Sequence, residues 1–303
     1  MPKFSLVIPT LNAGECWDHW IAALRLQTLQ PQSVLVIDSS SDDATVEKSR
    51  AAGFDVRIIP RAQFNHGATR QLAVEALPDA EIIIFLTQDA IFADAFALDH
   101  ILSGFKDPVV GIVYGRQLPK PGAGHLESHA RLFNYPAVGR VSSLADAKKL
   151  GVRTAFNSNS FSAYRRDVLL TAGGFPQRVI VSEDVYVAAK ILLMGWKIVY
   201  CAEARVYHSH NFSFFQEFQR YFDIGVFYSR ETWLVERLGR HEGEGMRFLK
   251  SEWMYLLRVA AYRIPESVIR TGFKYLGYRL GRLELLLPNR IKQKISMQKS
   301  FWV

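Results

Sequence analysis

The sequence predicts an α/β fold in which a mainly parallel sheet carries helices on both faces. In the first third of the chain, short apolar runs alternate with segments of helical pattern. This alternation is typical of parallel sheets, because a crossover helix joins neighbouring parallel strands. The predicted strands are 4–8, 33–37, 56–59 and 81–86, and the predicted helices between them lie near 15–28, 43–52 and 67–77.

Length and composition indicate an ordinary globular protein. The chain has 303 residues, of which 49% are hydrophobic and 22% are charged, so it can bury a normal core. Cys16 and Cys201 lie far apart without CxxC spacing, which argues against a disulfide framework or a cysteine zinc site and favours a reducing compartment. The apolar run at 4–8 is too short for a secretory signal, and no run of about 18 uncharged apolar residues predicts a membrane span.

The second half of the sequence is predicted to be less regular at first and then mainly helical. Residues 115–155 are rich in Gly, Pro, Ser and Lys and are predicted to be an irregular insertion. Ser182 is the predicted N-cap of a helix with acids in its first turn. Pro265 divides the tail at 246–287 into two predicted helices. The other predicted elements are a helix from 183 to about 194, strands at 196–200 and 204–207, and a helical segment at 212–236.

Several common catalytic motifs are missing from the sequence. No GxGxxG follows a predicted strand, so a dinucleotide site has little support, and no GxxxxGK[ST] is present, which excludes a P-loop by pattern. The GxSxG and HExxH patterns of serine hydrolases and zinc proteases are also absent.

Positive charge is concentrated in the tail. Residues 240–303 contain 13 Lys and Arg against 5 Asp and Glu, whereas residues 1–239 contain 24 of each. Such asymmetry indicates an anionic partner. A membrane-surface element is favoured, because aromatic residues accompany the basic ones. A nucleic-acid patch and a helical pair packed on the core with a solvated basic face are the alternatives.

Two carboxylates directly follow predicted buried strands, and ligands of such sheets bind at the carboxyl ends of the strands. Asp38 can accept the N3–H of a pyrimidine base there, and capping of the helix near Asp43 is an equal alternative. Asp89 follows the strand at 81–86, where an acid is costly to desolvate unless it meets a cation or hydrogen-bond donors. A divalent metal that bridges a diphosphate is favoured over a helix cap, because Asp38 ends a neighbouring strand.

Glu183 and Asp184 stand at a predicted helix start and are candidates for a general base. The helix N-terminus is expected to lower the pKa of a carboxylate there and keep it ionised, and simple interaction with the helix dipole is the alternative. His208 and His210 alternate on a predicted strand end, so they are expected to point to opposite faces, one to bind a ligand or phosphate and the other to be structural. Arg70 lies in the first turns of a helix and can face phosphate or pair with a surface acid.

Together these motifs resemble the inverting family-2 glycosyltransferases with a GT-A fold, over roughly residues 3–210. Residues 7–12 (Val-Ile-Pro-Thr-Leu-Asn) are similar to the family's first nucleotide-binding strand, and residues 36–42 are similar to its second. Residues 86–89 (Leu-Thr-Gln-Asp) stand where the family has its DxD motif. Residues 182–184 (Ser-Glu-Asp) resemble the acceptor-side motif whose Asp is the catalytic base.

The resemblance implies transfer of a sugar from a nucleotide diphosphate, with inversion at the anomeric carbon. Asp184 is then the base, supported by Glu183, and Mg²⁺ or Mn²⁺ is expected at Asp89 with His208. The donor nucleotide contacts that it implies are Pro9, Thr10, Asn12, Asp38, Arg70 and Gln88.

One departure and one further motif refine the resemblance. Thr87 replaces the first acid of DxD, which leaves Asp89 as the only carboxylate and bears on whether the metal is required. Thr-Gln-Asp at 87–89 and His-Gly-x-Thr-Arg at 66–70 resemble the rhamnosyltransferase-like branch. That branch implies dTDP-L-rhamnose as donor, with UDP-linked sugars as the alternative. It also implies a lipid-linked saccharide acceptor in cell-surface polysaccharide synthesis of the O-antigen kind.

The expected organisation is a GT-A catalytic domain at 1–210, with a nucleotide-binding part at 1–115 and an acceptor-side part at 116–210. A basic helical extension follows at 211–303. The expected location is cytoplasmic and peripheral, on the inner face of the cell membrane; nucleic acid is not expected, and a homo-oligomer is left open. The functional alternatives are a UDP-sugar transferase acting on polyprenyl phosphate, a nucleotidyltransferase, and a non-catalytic scaffold with a degenerate site.

Overall fold

The computed structural model of the protein describes residues 2–14, 16–240 and 243–302. Its strands form one mixed sheet with the order β3-β2-β1-β4-β8-β6-β9-β5, and β7 pairs with β9. The strands are β1 (Phe4–Thr10), β2 (Ser33–Asp38), β3 (Asp55–Ile58), β4 (Ile82–Leu86), β5 (Ile91–Phe92), β6 (Val110–Leu118), β7 (Arg140–Ser142), β8 (Phe161–Arg165) and β9 (Lys197–Tyr207).

Helices cover both faces of this sheet and form most of the chain after β9. They are α1 (Cys16–Arg25), α2 (Thr45–Ala51), α3 (His66–Ala76), α4 (Ala97–Ser103), α5 (His125–Asn134), α6 (Ala147–Leu150), α7 (Arg166–Thr171), α8 (Glu183–Leu193), α9 (Phe214–Arg230), α10 (Thr232–Leu238), α11 (Glu244–Val259), α12 (Ile264–Arg282) and α13 (Asn289–Ile295). The predicted α/β fold with a helical C-terminal region is confirmed.

The sheet is parallel at its N-terminal half. β1 pairs in parallel with β2 and β4, and β2 with β3. Because the pairing register sets Thr10 opposite Asp38, the loops that follow β1 and β2 leave the sheet side by side. β8 runs antiparallel to β4 and β6, whereas β6 and β9 are again parallel.

The side chains of the strands belong to two hydrophobic layers, one on each face of the sheet. In β1, Leu6 and Ile8 join the layer under α1 and α4, whereas Val7 joins the opposite layer under α3 and α8. This division follows from the alternation of side chains along a strand. Trp17 and Trp20 of α1 stack with ring centroids 4.8 Å apart in the first layer.

The C-terminal helices pack directly on the second layer. Phe222, Val226 and Trp302 belong to the same buried cluster as the strand residues of the sheet. α9 and α12 approach closely through glycines, since a Cβ at Gly277 would lie 2.3 Å from the carbonyl oxygen of Phe218. Residues beyond 210 are therefore attached to the sheet by a shared core, and the proposed division at residue 210 stays a prediction.

Four expectations from the sequence are corrected. Residues 115–155 are not an irregular insertion: they contain the end of β6, α5, β7 and α6. The strands expected at 196–200 and 204–207 are one strand, β9, whose register against β6 shifts between Gly115 and Arg116. The helix expected near Asp43 starts at Thr45.

The fourth correction concerns Ser182. Its side chain makes no capping hydrogen bond to α8, and its backbone has a φ of 62° in the left-handed region. A non-glycine residue in that region is strained and persists where the surrounding structure fixes it. Ser182 therefore turns the chain into α8 rather than capping the helix.

No helix among the described residues combines the length and the apolar character that crossing a bilayer requires.

The division of the tail near Pro265 is confirmed, because α11 ends at Val259 and Pro265 lies in the first turn of α12.

Candidate active site

Asp89, His208 and His210 form a cluster at one edge of the sheet. The Asp89 Oδ2 atom lies 3.3 Å from Nε2 of His208 and 3.7 Å from Nδ1 of His210. The antiparallel pairing of β5 with β9, which sets Ile91 opposite Tyr207, places the segment before β5 beside the segment after β9. The three side chains offer donor atoms that all lie within 4.8 Å of one another.

The tautomer of His208 follows from its neighbours. Oε1 of Gln117 receives a hydrogen bond of 2.6 Å from Nη1 of Arg131, and arginine can only donate. The same oxygen lies 2.8 Å from Nδ1 of His208, so Nδ1 carries the proton in the neutral ring. Nε2 therefore presents its lone pair towards Asp89.

The cluster fits a divalent cation. Burial lowers the pKa of His208, and it lowers the pKa of His210 to about 3, so both rings are neutral near pH 7. The Asp89 carboxylate oxygen and the Nε2 lone pair of His208 face each other without a proton and, with the neutral His210 ring beside them, form a donor set that divalent metals accept. Gln117 orients His208 from behind, as partners of metal-bound histidines do. Nζ of Lys120, 3.9 Å from the Asp89 Oδ2 atom, adds positive charge beside the cluster.

His210 corrects the expectation that the two histidines point to opposite faces. Their ring centroids are 4.5 Å apart and both rings face Asp89. β9 ends at Tyr207, so the alternation of side chains along a strand no longer applies to residues 208–210.

The loops after β1 and β2 are joined around Asp38. This carboxylate is fully buried and accepts hydrogen bonds from the Thr10 hydroxyl at 2.8 Å and from the backbone and hydroxyl of Ser41. Asn12, with a φ of 49°, accepts a bond from the backbone N–H of Asp42. The alternative prediction, that Asp38 caps the helix near Asp43, is wrong, because the hydrogen-bond partners of Asp38 belong to β1 and to the loop at 39–43.

Gln88 clamps the end of β1 next to Asp89. Its side-chain amide bonds both the backbone N–H of Leu11 at 2.8 Å and the carbonyl of Leu11 at 3.0 Å. Pro9 lies within β1 opposite Ile37. The predicted donor residues of β1, β2 and the Gln88 segment are thus brought together at one edge, and their contacts with a nucleotide stay predictions.

Arg70 and Glu183 form a buried ion pair that joins α3 to α8. Nη1 of Arg70 lies 2.9 Å from Oε1 of Glu183, and both side chains are less than a tenth exposed. The Arg70 guanidinium also donates to the carbonyl of His66, and Asn159 donates to Glu183 at 3.0 Å. The positive charge of Arg70 is therefore neutralised by Glu183 in this structure. The contact of Arg70 with the donor diphosphate stays a prediction.

Asp184 is half-buried beside that pair. It accepts hydrogen bonds from the backbone N–H groups of Asn159 at 3.2 Å and Val185 at 2.8 Å. Burial, followed by the negative charge of Glu183, raises the pKa of Asp184 to about 7. The expectation that the helix N-terminus would lower this pKa is corrected, since burial and Glu183 outweigh it. A carboxylate with a pKa near the working pH is suited to general-base catalysis.

A cavity opens from the metal cluster towards the C-terminal helices. It is bounded by α5, the loop after β9, α9, α11 and α12, and it is rich in charged and aromatic side chains. Arg263, Glu266, Arg270 and Lys274 of the tail line this cavity. Glu217 of α9 lies 3.4 Å from Arg270 and 3.5 Å from Lys274, so part of the basic excess of the tail is neutralised inside it.

Sequence reasoning missed several residues of the site. Gln117, Arg131, Arg220 and Asn159 were not singled out, although the structure places them around the metal cluster and the acid pair. Gln117 and Arg131 come from the segment expected to be irregular. The polar Asn-Ser-Asn run at 157–159, just ahead of the apolar strand β8, is the one signal that pointed to part of this set.

The model of glycosyl transferase family 2 matches residues 5–171. The chain is 47% identical over 301 residues to the O-antigen chain rhamnosyltransferase RfbN of Salmonella typhimurium, covering 99% of this chain and 96% of the relative. It is 46% identical over 303 residues to the O-antigen chain rhamnosyltransferase WbaN of Salmonella anatum, covering 100% of this chain and 96% of that one.

Solved structures share the fold at low identity. A mannosyltransferase from Pyrobaculum calidifontis, in complex with GDP-Man and Mn²⁺, superposes with a TM-score of 0.58 at 17% identity, covering 99% of this chain and 85% of its own. S. aureus TarS 1–349 in complex with UDP gives 0.54 at 18% identity, covering 94% and 91%.

Proposed function

Because this chain belongs to glycosyl transferase family 2, we propose that it transfers L-rhamnose from dTDP-L-rhamnose to a lipid-linked saccharide. The product belongs to O-antigen synthesis, and the transfer inverts the anomeric carbon. The observation that carries the proposal is near-complete coverage by two O-antigen chain rhamnosyltransferases at 46–47% identity. A carboxylate with a raised pKa, Asp184, and a cluster of metal-type ligands, Asp89, His208 and His210, support it.

Asp184 acts as the general base in this proposal. Its carboxylate accepts the proton of the acceptor hydroxyl as that oxygen attacks the anomeric carbon, while the bond from this carbon to the nucleotide diphosphate breaks. Asn159 fixes the orientation of Asp184, and Glu183 keeps its proton affinity high. Arg70 holds Glu183 in the ionised state through their ion pair and thereby positions the base.

Asp89, His208 and His210 would hold a divalent metal, either Mg²⁺ or Mn²⁺. The metal supplies electrostatic stabilisation of the negative charge on the departing diphosphate. Gln117 keeps Nε2 of His208 free for this role. Thr87 leaves Asp89 as the one carboxylate of the motif, and His210 provides the further ligand that a single acid lacks.

The nucleotide is proposed to lie at the carboxyl ends of β1 and β2. Pro9 and Thr10 end β1 and Asn12 belongs to the loop after it, and the buried hydrogen bonds of Asp38 hold the second loop against this end of β1. Gln88 ties this pair of loops to the metal cluster through Leu11. The acceptor saccharide then occupies the cavity between α5 and the C-terminal helices.

We also propose that the C-terminal helices contact an anionic membrane surface. Of 29 large hydrophobic side chains exposed among the described residues, 16 lie between residues 246 and 297, which concentrates them in the basic tail. Leu285 and Leu286 are 86% and 78% exposed. Replacing both with Ser should weaken sedimentation with anionic liposomes. Exchanging exposed Leu26 for Ser provides the control, and equal sedimentation of all three proteins would rule out this contact.

Nucleotide binding tests the proposed donor. Thermal unfolding would be measured with dTDP, UDP, GDP and CDP, each with Mn²⁺ and with EDTA. A ligand present at about 100 times its Kd stabilises the folded state by roughly 2.7 kcal/mol, which is readily measured. The proposal predicts the largest metal-dependent shift with dTDP and its loss in Asp89→Ala. Absence of any nucleotide shift in folded protein would contradict it.

A further inference from the structure

We propose that a groove between α5 and α11 binds the isoprenoid diphosphate portion of the lipid-linked acceptor. The inference rests on the proposed function, because it assumes that the acceptor saccharide is carried by such a lipid. It adds a second binding site, distinct from the cavity that receives the saccharide. The groove is lined by residues of both helices, among them Leu132, Phe133, Lys250, Met254 and Arg258.

Basic side chains form the rim of the groove. Arg247, Lys250 and Arg258 follow one another at spacings of three and eight residues, so they lie along one stripe of α11. Glu244 pairs with Arg247 at 3.2 Å, whereas no ion pair of Lys250 or Arg258 is found within the described residues. Two exposed positive charges therefore remain to attract an anionic group.

The floor of the groove is apolar. Leu132 and Phe133 come from α5, and Met254 and Tyr255 come from α11. Met254 is 51% exposed, and Leu257, on the adjoining face of α11, is 65% exposed. An apolar floor beside two positive charges complements a ligand that carries a diphosphate on a hydrocarbon chain, since each part of the ligand has its matching surface.

The groove and the saccharide cavity share their walls. On α11, Phe248 faces the cavity whereas Lys250 faces the groove. On α5, Glu127 and Arg131 face the cavity and Leu132 faces the groove. The groove therefore lies next to the saccharide cavity, with α5 and α11 as their common walls.

Buried polar contacts hold the two helices in place. Nε2 of His129 lies 2.9 Å from the hydroxyl of Ser251, and Nδ1 of His129 lies 3.7 Å from Glu252. The His129 ring packs against Phe133, Phe248 and Tyr255 with centroids 5.1–5.9 Å apart. The groove is consequently preformed, and a ligand gains affinity from a surface that does not have to be ordered.

Direct binding of farnesyl diphosphate to the full chain tests the inference. Calorimetric titration would compare the wild type, the double variant Lys250→Glu/Arg258→Glu and the milder Lys250→Gln/Arg258→Gln. Arg25→Glu/Arg50→Glu, which reverses two exposed charges on α1 and α2, is the matched control. Farnesol and inorganic diphosphate serve as ligands that carry only one half of the proposed chemistry. Circular-dichroism melting shows that each variant is folded.

We expect the charge-reversed groove variant to bind farnesyl diphosphate at least tenfold more weakly than the wild type, and the Gln variant to fall between them. The control should match the wild type, and farnesol and inorganic diphosphate should each bind at least tenfold more weakly than farnesyl diphosphate. Equal affinity of the wild type and the folded groove variants would overturn the inference. Wild-type affinity for farnesol or inorganic diphosphate equal to that for farnesyl diphosphate would overturn it as well.

The thermal shift with dTDP separates this inference from the proposed function. One result is that dTDP still stabilises the wild type while its binding of farnesyl diphosphate does not depend on Lys250 and Arg258. That result rejects the groove as a binding site and leaves the proposed function standing. If no nucleotide raises the melting temperature of the wild type, the proposed function is rejected. The calorimetric titration with farnesyl diphosphate still measures binding to the groove in that case.

Discussion

Nε2 of His208 lies 3.3 Å from Oδ2 of Asp89, although the bond between Nδ1 of His208 and Gln117 leaves no proton on Nε2. Two lone-pair atoms at this distance repel each other unless a cation lies between them or the ring gains a second proton. Burial lowers the pKa of His208, which disfavours the second proton. The arrangement therefore supports the proposed metal site.

Removing the support of His208 should weaken metal binding. In Gln117→Leu the His208 ring loses the acceptor that fixes its tautomer, and changes of this kind typically cost about 10–100-fold in metal affinity. Titration of Mn²⁺ in the presence of dTDP measures the effect. The control is Gln32→Leu, which changes an exposed residue that is distant in sequence from Gln117. Unchanged Mn²⁺ affinity in Gln117→Leu would show that Gln117 does not orient a ligand.

The buried ion pair predicts an asymmetry between single and double variants. Arg70→Met leaves the Glu183 carboxylate buried without its partner, and such a loss typically destabilises a protein by about 3–5 kcal/mol. Arg70→Met/Glu183→Gln removes both charges and should be destabilised less than Arg70→Met. Urea unfolding of these variants and of Glu183→Gln gives the coupling between the two sites. Strictly additive effects would contradict the pair.

The raised pKa of Asp184 gives a pH dependence of stability with a defined sign. Its pKa is about 7 in the folded protein against 3.8 for a free aspartate, so the folded state binds more protons than the unfolded state between these values. The contribution of Asp184 to stability is therefore fully present below about pH 4 and is lost as the pH rises through about 7. Urea unfolding from pH 5 to 8 should show this loss in the wild type and not in Asp184→Asn. Parallel curves for the two proteins would contradict the raised pKa.

The contact of α9 with α12 predicts a contrast between two glycines of one helix. A Cβ at Gly277 would meet the backbone of α9 at 2.3 Å, whereas a Cβ at Gly272 meets nothing within 4 Å. Gly277→Ala should destabilise the protein by about 1–3 kcal/mol through overpacking. Gly272→Ala should be neutral or stabilising, because alanine favours the helix. Differential scanning calorimetry measures both, and equal melting temperatures would show that the helices are not in contact there.

The sequence predicted the strand-end residues well because their placement depends on local pattern. The apolar runs before Asp38 and Asp89 fixed the ends of β2 and β4, and the carboxyl ends of parallel strands meet at one edge. His208 was assigned to the metal by resemblance to a family, and the structure places it beside Asp89.

The parts that the sequence did not predict depend on tertiary contacts. His210 joins the cluster because β9 ends three residues earlier, and strand ends are set by pairing partners rather than by composition. Gln117 and Arg131 lie in a segment whose glycines and prolines indicate loops, although β6 and α5 form there because they pack on the sheet and on α11. The pKa of Asp184 was predicted with the wrong sign because a sequence does not reveal burial.

The proposed role of Asp184 as the base of a rhamnosyl transfer is tested most directly by replacing this residue. Initial rates with dTDP-L-rhamnose and a lipid-linked saccharide acceptor should be measured for the wild type, Asp184→Asn and Asp167→Asn, an exposed acid on α7. If Asp184 is the base, kcat/KM of the wild type is about tenfold lower at pH 6 than at pH 8. Asp184→Asn should still bind dTDP yet transfer no detectable rhamnose, and Asp167→Asn should behave as the wild type. Near-native turnover by Asp184→Asn would show that Asp184 is not the base.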